Sequence, residues 1–356
     1  MSDTARRGHT RRMADLTFLP LHTERLTLRA FTADDTATFA AYRNDPEVAR
    51  YQDWELPVDP EGVARFVASQ LSVTGPVPGD WVQIAVEFDG ELAGDVAVGL
   101  DPSGALAIIG YTVRRDRQGR GIGREAVAAL VDALFDSAGV QRVAATVDPA
   151  NIASAHLLER LGFRYEGCAK AAALVRGSWA DDDRYAMLRA DREAWLARPT
   201  GRPDDVRLVE VTADSARVIG RLATAHTQER FVASVLGSFR DALFPGTSDD
   251  VELVPWLRAI EADGEPAGFL MIADSTAAHP EPYLWRMLID ARHQRRGIGA
   301  RAIALLVERL RAKSDRRLLV SWVDEPGGPA PFYRGLGFAP TGRIHGGEVE
   351  AALDLA

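Results

Sequence analysis

The chain states one pattern twice. Gln118 to Gly123 reads Gln-Gly-Arg-Gly-Ile-Gly, and Gln294 to Gly299 reads Gln-Arg-Arg-Gly-Ile-Gly, 176 residues later. Each copy leads to a Leu-Gly-Phe triplet, Leu161-Gly162-Phe163 and Leu336-Gly337-Phe338, with 40 and 39 residues from the last loop glycine to the phenylalanine. A repeat at this spacing commits the 356 residues to two units of ordinary domain size rather than one extended core. Residues 199–205, Pro-Thr-Gly-Arg-Pro-Asp-Asp, are rich in breakers and charge and are expected to connect the units. The expected organisation is a disordered leader over 1–17, a first domain over 18–198, the connector, and a second domain over 206–356. Arg6, Arg7, Arg11 and Arg12 make the leader basic, but no apolar stretch follows them, so it does not read as a secretory signal.

Local patterning repeats with the motif. In the first half, residues 25–31 alternate as a strand and 34–44 and 63–71 take helical spacing. Residues 81–88, 92–100 and 106–113 then form a meander, its first two strands joined by Asp89-Gly90. After the glycine loop, Ala126, Val127, Leu130, Val131 and Leu134 mark one face of a helix over 123–138. A strand over 142–147 and a short helix over 154–160 follow. The second half gives strands over 257–261, 267–273 and 284–289, a helix over 299–311, a strand over 318–322 and a short helix over 330–334. The fold class is therefore α/β, with a mixed central sheet and flanking helices in each half.

Strand, glycine-rich turn and helix start occur together in both copies. Such a junction leaves backbone N–H groups unpaired at the positive end of a helix, and that is where an anion binds. Glycine lets the backbone approach a phosphate closely and supplies positive φ where the turn needs it. The groups expected to hold a diphosphate are Gln118, Gly119, Arg120, Gly121, Ile122, Gly123 and Arg124 in the first half. Their counterparts are Gln294, Arg295, Arg296, Gly297, Ile298, Gly299, Ala300 and Arg301. Neither loop carries the lysine and hydroxyl of a P-loop or the full dinucleotide fingerprint.

Composition narrows the partners. A formal charge of −9 argues against a general nucleic-acid binder and suits a cationic small substrate. No apolar run approaches the length that crosses a bilayer, so no membrane partner is expected. Cys168 is the sole cysteine, which rules out an internal disulfide and a thiolate cluster and fits a reducing cytoplasm. The seven histidines show no metal-ligand spacing, so no metal is expected.

The pattern Gln/Arg-x-x-Gly-x-Gly at a strand-to-helix junction, with Gly-Phe about forty residues on, resembles the acetyl-CoA loop of the GNAT superfamily of N-acetyltransferases. The likeness implies two acyl-CoA N-acyltransferase domains in tandem. Their loop amides would hold the CoA diphosphate, and the strands ending at Val113 and Ile289 would pair with the pantetheine arm. The first half is similar to ribosomal-protein N-terminal acetyltransferases through Thr23-Glu24-Arg25-Leu26, Gly110-Tyr111, Asn151 with Ser154, and Gly177-Ser178-Trp179-Ala180-Asp181 ahead of Tyr185. The second half resembles bacterial spermine/spermidine acetyltransferases through Ala267-Gly268-Phe269-Leu270-Met271, Leu284-Trp285-Arg286-Met287-Leu288-Ile289-Asp290 and Gly347-Glu348-Val349.

An alkyl amine with a pKa of about 10.4 arrives protonated and must lose a proton before it attacks a thioester, and the sulfur needs one as it leaves. The likeness implies direct transfer to an amine with no metal. Tyr333 stands where many family members keep a tyrosine as general acid. The matching residue of the first half is Leu158, which has no proton to give, so Ser154 is the candidate there and Asn151 a candidate contact for the pantetheine arm. Ile108 and Gly327-Gly328-Pro329 depart from the family pattern. Glu348, Glu281 and Glu229 are candidates for holding a cationic acceptor or relaying its proton. The expected acceptor is a primary amine of a polyamine, an aminated antibiotic or metabolite, or a peptide N-terminus. The competing reading is an acyl-CoA-binding regulator, which Leu158 favours for the first half and Tyr333 disfavours for the second. The two domains are expected to pair as an internal pseudo-dimer.

Overall fold

The meander expected ahead of the first glycine loop is present in a computed structural model that describes residues 15–248 and 251–356. The first domain runs β1 (Leu21–His22), β2 (Leu26–Arg29), α1 (Asp35–Arg43), α2 (Pro46–Ala49), α3 (Pro60–Ser69), β3 (Trp81–Phe88), β4 (Glu91–Leu100) and β5 (Leu106–Val113). It continues with α4 (Ile122–Asp136), β6 (Arg142–Val147), α5 (Ile152–Leu161), β7 (Arg164–Val175), β8 (Ser178–Leu188) and α6 (Arg189–Ala197). The second domain comprises β9 (Val206–Val209), α7 (Ala213–Ile219), α8 (Val235–Leu243), a small hairpin β10 (Thr247–Ser248) and β11 (Val251–Glu252), β12 (Pro255–Ala262), β13 (Glu265–Ala273) and β14 (Tyr283–Ile289). Then come α9 (Ile298–Ala312), β15 (Arg317–Trp322), α10 (Ala330–Gly335), β16 (Ala339–His345) and β17 (Glu348–Asp354).

From β2 and β9 onward the two sheets repeat each other strand for strand, while β1 has no counterpart in the second. The first has the order β1-β2-β3-β4-β5-β6-β8-β7 and the second, read from its other edge, β9-β12-β13-β14-β15-β17-β16. Each holds one parallel pair at its centre, β5 with β6 and β14 with β15, among antiparallel neighbours. The duplication seen in the loops is thus a duplication of seven strands.

Burial follows from the helical periodicity. On α4, Ile122, Ala126, Val127, Leu130, Val131 and Leu134 form one buried face, packed on Val96, Val98, Ile109, Val143 and Ala145 of the sheet. The equivalent face of α9 buries Ile298, Ala302, Ile303, Leu306 and Leu310. The opposite sheet faces are covered by α1 and α3 in the first domain and by α7 and α8 in the second. Each leucine sealed in this way contributes about 1.5–3 kcal/mol. One charge is buried beneath α1: Asp95 of β4 is 1% exposed and accepts hydrogen bonds from Tyr42, Gln83 and Arg43, which together answer its desolvation.

The chain divides into compact units that meet between Leu196 and Ala197. Residues expected as connector belong with the second unit: the Gly201 carbonyl accepts from Arg296 Nε at 2.7 Å, and the Asp204 and Asp205 amides donate to Asp263 at 2.9 and 3.1 Å. Of the expected leader, residues 1–14 lie outside the described residues. Asp15 is held by its amide on the Ser137 carbonyl at 2.9 Å, and Leu16 packs on the first core. The sequence reading contained neither the β7–β8 hairpin nor β16 and β17. Among the described residues no helix is long and apolar enough to cross a membrane.

Leu130 and Leu306 occupy matching positions in the two cores, both fully buried. Replacing either by alanine is expected to cost about 2–5 kcal/mol of its own domain's stability, read from denaturant titration of each variant.

Candidate functional site

The central strands of each sheet part. β5 and β6 share three parallel pairs, Leu106 with Arg142, Ala107 with Val143 and Ile108 with Ala144. Beyond Ile108, β5 stays bonded to β4 as far as Val113 but has no strand on its other edge. β14 and β15 share only Tyr283 with Leu319 and Leu284 with Val320. A bulge stands at that point: pairing with β13 steps from Met271–Arg286 to Ile272–Leu284, leaving Trp285 as the extra residue. A bulge bends its strand and raises the local twist, which turns β14 away from β15. Residues 109–113 and 285–289 therefore offer backbone donors and acceptors along a free edge.

Both strands run into a one-turn 3₁₀ segment, Arg115–Arg117 or Ala291–His293, and then the glycine loop. Gly121 and Gly297 start α4 and α9 in the left-handed region, at φ 80° in each case, with no side chain capping the helix. The first helical bonds are Glu125 N to Gly121 O at 3.0 Å and Arg301 N to Gly297 O at 3.1 Å. The amides of residues 122–124 and 298–300 therefore precede the ladder and point out of the helix end. The third glycine has a different reason from the close phosphate approach expected of it. A Cβ on Gly123 would lie 3.2 Å from both Leu157 and Val113, and one on Gly299 3.1 Å from Met287 and 3.2 Å from Phe332. Helix, strand and the following short helix meet there. The second loop spends more strain than the first: where Gly119 has φ 73°, its counterpart is Arg295 at φ 62°.

Side chains expected on a diphosphate divide into two groups. Gln118 Nε2 donates to the Val113 carbonyl and Gln294 Nε2 to the Ile289 carbonyl, each at 3.0 Å, so both glutamines tie the loop back to the strand end. Arg120, Arg124, Arg295 and Arg301 are exposed around the helix starts. Arg296 requires a correction. It is 5% exposed, and its guanidinium is committed to the Gly201 carbonyl, to His293 Nδ1 at 3.0 Å and to Asp263 at 3.5 Å, leaving only its main chain for a ligand. Burial lowers the pKa of His293, and the neutral ring accepts from Arg296.

In the first domain, a cleft of about 850 Å³ is lined by Val113, Gln118, Gly119, Gly121, Ile122, Gly123, Arg124, Asn151 and Ser154. Of the residues expected in that half, Arg120 alone is outside it; its carbonyl accepts from Arg25, which also pairs with Glu125. Burial opposes ionisation of Glu125, but the Thr23 hydroxyl and Arg25 prevail and hold its carboxyl below the usual range. Asn151 caps α5, its side chain accepting from the Ser154 amide at 3.2 Å. Ser154 Oγ lies 2.6 Å from the hydroxyl of Tyr111, a residue of the free edge of β5 that sequence reasoning quoted without giving it a role. Burial raises the Tyr111 pKa, against the Ser154 hydrogen bond, so the phenol keeps its proton. Leu158 is fully buried in the core.

In the second domain Tyr333 is 8% exposed, stacked on Trp322 at 5.7 Å and edge-on to Phe332 and Phe338. Burial raises its pKa. Pro329, of the Gly327-Gly328-Pro329 departure, sits at the start of α10. Glu348 accepts from Ser321 Oγ, which lies 2.5 Å from the Tyr283 hydroxyl. Glu281 pairs with Arg317 at 3.1 Å, and Glu229 lies 2.9 Å from His226 Nδ1.

Two outcomes follow from these loops. Gly297→Ala is expected to lower stability by about 1 kcal/mol for its left-handed backbone, while Arg295→Gly is neutral or stabilising by up to about 1 kcal/mol, both by denaturant titration. His293 titrates lower folded than unfolded, so the unfolded chain takes up its proton first as pH falls below about 6.5. Stability contributed by the neutral ring is complete above that pH, erodes below it, and levels off beneath the folded pKa. His293→Gln is expected to flatten the acid slope of stability against pH.

Both halves of the chain match known proteins. A family model described as Acetyltransferase (GNAT) domain matches residues 25–164, and another described as Acetyltransferase (GNAT) family matches residues 221–338. The chain is 30% identical over 174 residues to the uncharacterized N-acetyltransferase p20 of Bacillus licheniformis, covering 48% of this chain and 97% of that protein. It is 35% identical over 83 residues to the ribosomal protein uS5-alanine N-acetyltransferase of Escherichia coli (strain K12), covering 23% of this chain and 43% of that protein. A GNAT-family acetyltransferase structure from Bacillus anthracis aligns at a TM-score of 0.43 and 24% identity over 47% of this chain and 97% of that one. With a matched domain in each half and a relative spanned almost end to end, the chain belongs to the GNAT family and is an N-acetyltransferase built from two such domains in tandem.

Proposed function

We propose that the protein transfers an acetyl group from acetyl-CoA to a primary amine, of a small polyamine-like or aminated molecule or of a peptide N-terminus, by direct attack on the thioester. The observation that carries the reading is the recurrence, in both domains, of an uncapped glycine helix start beside two parted parallel strands. The fit to a CoA diphosphate rests on the amides at 122–124 and 298–300, with exposed Arg124 and Arg301 beside them. The free edges at 109–113 and 285–289 suit an amide-bearing arm laid along them as a strand would be. When bound, acetyl-CoA supplies an activated acyl carbon and a sulfur leaving group.

The chain's own residues handle protons. In the second domain Tyr333, kept protonated by burial, is assigned as the donor to the departing sulfur, and Glu348 as the carboxylate that receives the acceptor's proton. In the first domain Tyr111 and Ser154, 2.6 Å apart at the cleft wall, supply the hydroxyl that Leu158 lacks. That pair favours catalysis over the regulator reading for this half as well. The Escherichia coli relative, named for acetylating an alanine of a ribosomal protein, supports including peptide N-termini among the acceptors to be tried.

The test is thiol release from acetyl-CoA with spermidine, an aminoglycoside and an alanine-starting peptide. Release with at least one is expected, and binding of CoA with no release from any of them would favour the regulator. Tyr333→Phe is expected to lower second-domain turnover by about 10²- to 10⁴-fold; an unchanged rate removes Tyr333 from the mechanism.

A further inference from the structure

We propose that Tyr283, Ser321 and Glu348 form a proton exit line in the second domain, carrying the proton of the acceptor's ammonium from the parted strands to the start of β17. The inference rests on the acetyltransferase reading and names the path by which that chemistry loses its proton. The three residues are 38 and 27 positions apart in sequence and are brought together by β14, β15 and β17.

The polarity of the line is fixed by its hydrogen bonds. Glu348 as a carboxylate can only accept, so the single Ser321 proton is spent on it. The Tyr283–Ser321 contact at 2.5 Å must then run with tyrosine donating, which leaves the phenol oxygen free to accept from a third group. Tyr283 opens β14 opposite Leu319, and Ser321 lies just past the last parallel pair, Leu284 with Val320. The receiving end of the line is therefore at the mouth of the gap between the strands. Glu348 begins β17 beside the Gly346-Gly347 turn and is partly exposed, so a proton delivered there reaches water.

The transfer balances. One N–H bond of the ammonium breaks as an O–H forms on Tyr283; the tyrosine's own proton passes to Ser321, and the serine's to Glu348, giving a neutral amine and a carboxylic acid that later ionises to solvent. Burial, with the Glu348 charge nearby, raises the Tyr283 pKa, so the phenol relays rather than stands ionised. The other charged groups facing it are Arg286, which lies 3.6 Å from Asp241, and Glu350, already bound by Thr341, Arg343 and His345. Allowing for the extra residue at Trp285, the first domain has Ile108 where the second has Tyr283, so the line is particular to the second.

The experiment uses the full chain carrying Gly121→Asp, which sets a carboxylate against diphosphate in the first loop. Thiol release is followed from pH 6 to 10 with spermidine, an aminoglycoside and an alanine-starting peptide. Ser321→Ala and Tyr283→Phe are each expected to lower kcat/KM for the amine about 10²-fold at pH 7. The loss shrinks toward pH 10, where free amine no longer needs the exit. Ser321→Thr restores the rate, and acetyl-CoA affinity measured by calorimetry is unchanged throughout. A loss equal at all pH values, or none, overturns the line and leaves the acetyltransferase reading intact. Activity in the wild type that vanishes entirely with Gly121→Asp also overturns it, by placing turnover in the first domain. A wild-type chain that releases no thiol with any acceptor overturns both.

Discussion

Everything at the site depends on two neighbouring parallel strands failing to stay together. A sheet interior normally pairs every backbone donor and acceptor, because an unpaired one sealed from water costs about as much as a lost hydrogen bond. Here the pairing stops after three residues in one domain and two in the other, and the edge left behind is held open by what surrounds it. In the first domain Tyr111 reaches across to Ser154 on α5, so β5 is braced by a helix instead of by β6. In the second, the bulge at Trp285 turns β14 away while Trp322 and Tyr333 stack behind the gap.

The glycine loops show one main-chain path stabilised by two unrelated sets of side chains. Arg25 braces the first from β2's approach, bonding the Arg120 carbonyl and Glu125. The second is braced from beneath by Arg296, whose buried charge is answered by a carbonyl, a neutral imidazole and a carboxylate. Among the described residues, the glutamine staple to the strand end is the side-chain brace common to both. The shared path thus follows from the positive φ at Gly121 and Gly297 and the tight packing at Gly123 and Gly299, not from conserving the contacts around them.

Much of this was legible in the sequence, and the reasons differ by element. The meander, α4 and α9 were readable because a one-sided burial writes a period of two or 3.6 into the residues, and the duplication doubled the signal. β7 was not, because it lies at a sheet edge with no residue buried and so carries no clean alternation. Nor could local pattern tell that β8 and β17 insert between the preceding strand and their own hairpin partners. The Tyr111–Ser154 contact spans 43 residues, a distance that no motif spacing encodes. Arg296 misled for a related reason: a charge next to a loop reads as a ligand for anions until the fold supplies its carbonyl.

That carbonyl belongs to Gly201, in a stretch whose composition suggests a mere tether. The second half therefore begins earlier than its first strand: a fragment cut at residue 206 would strand a guanidinium in the interior and deprive Asp263 of the two amides it gathers. Whoever divides this protein to study one domain at a time should place the scissors before the tether, since those few residues are the footing on which the second glycine turn stands.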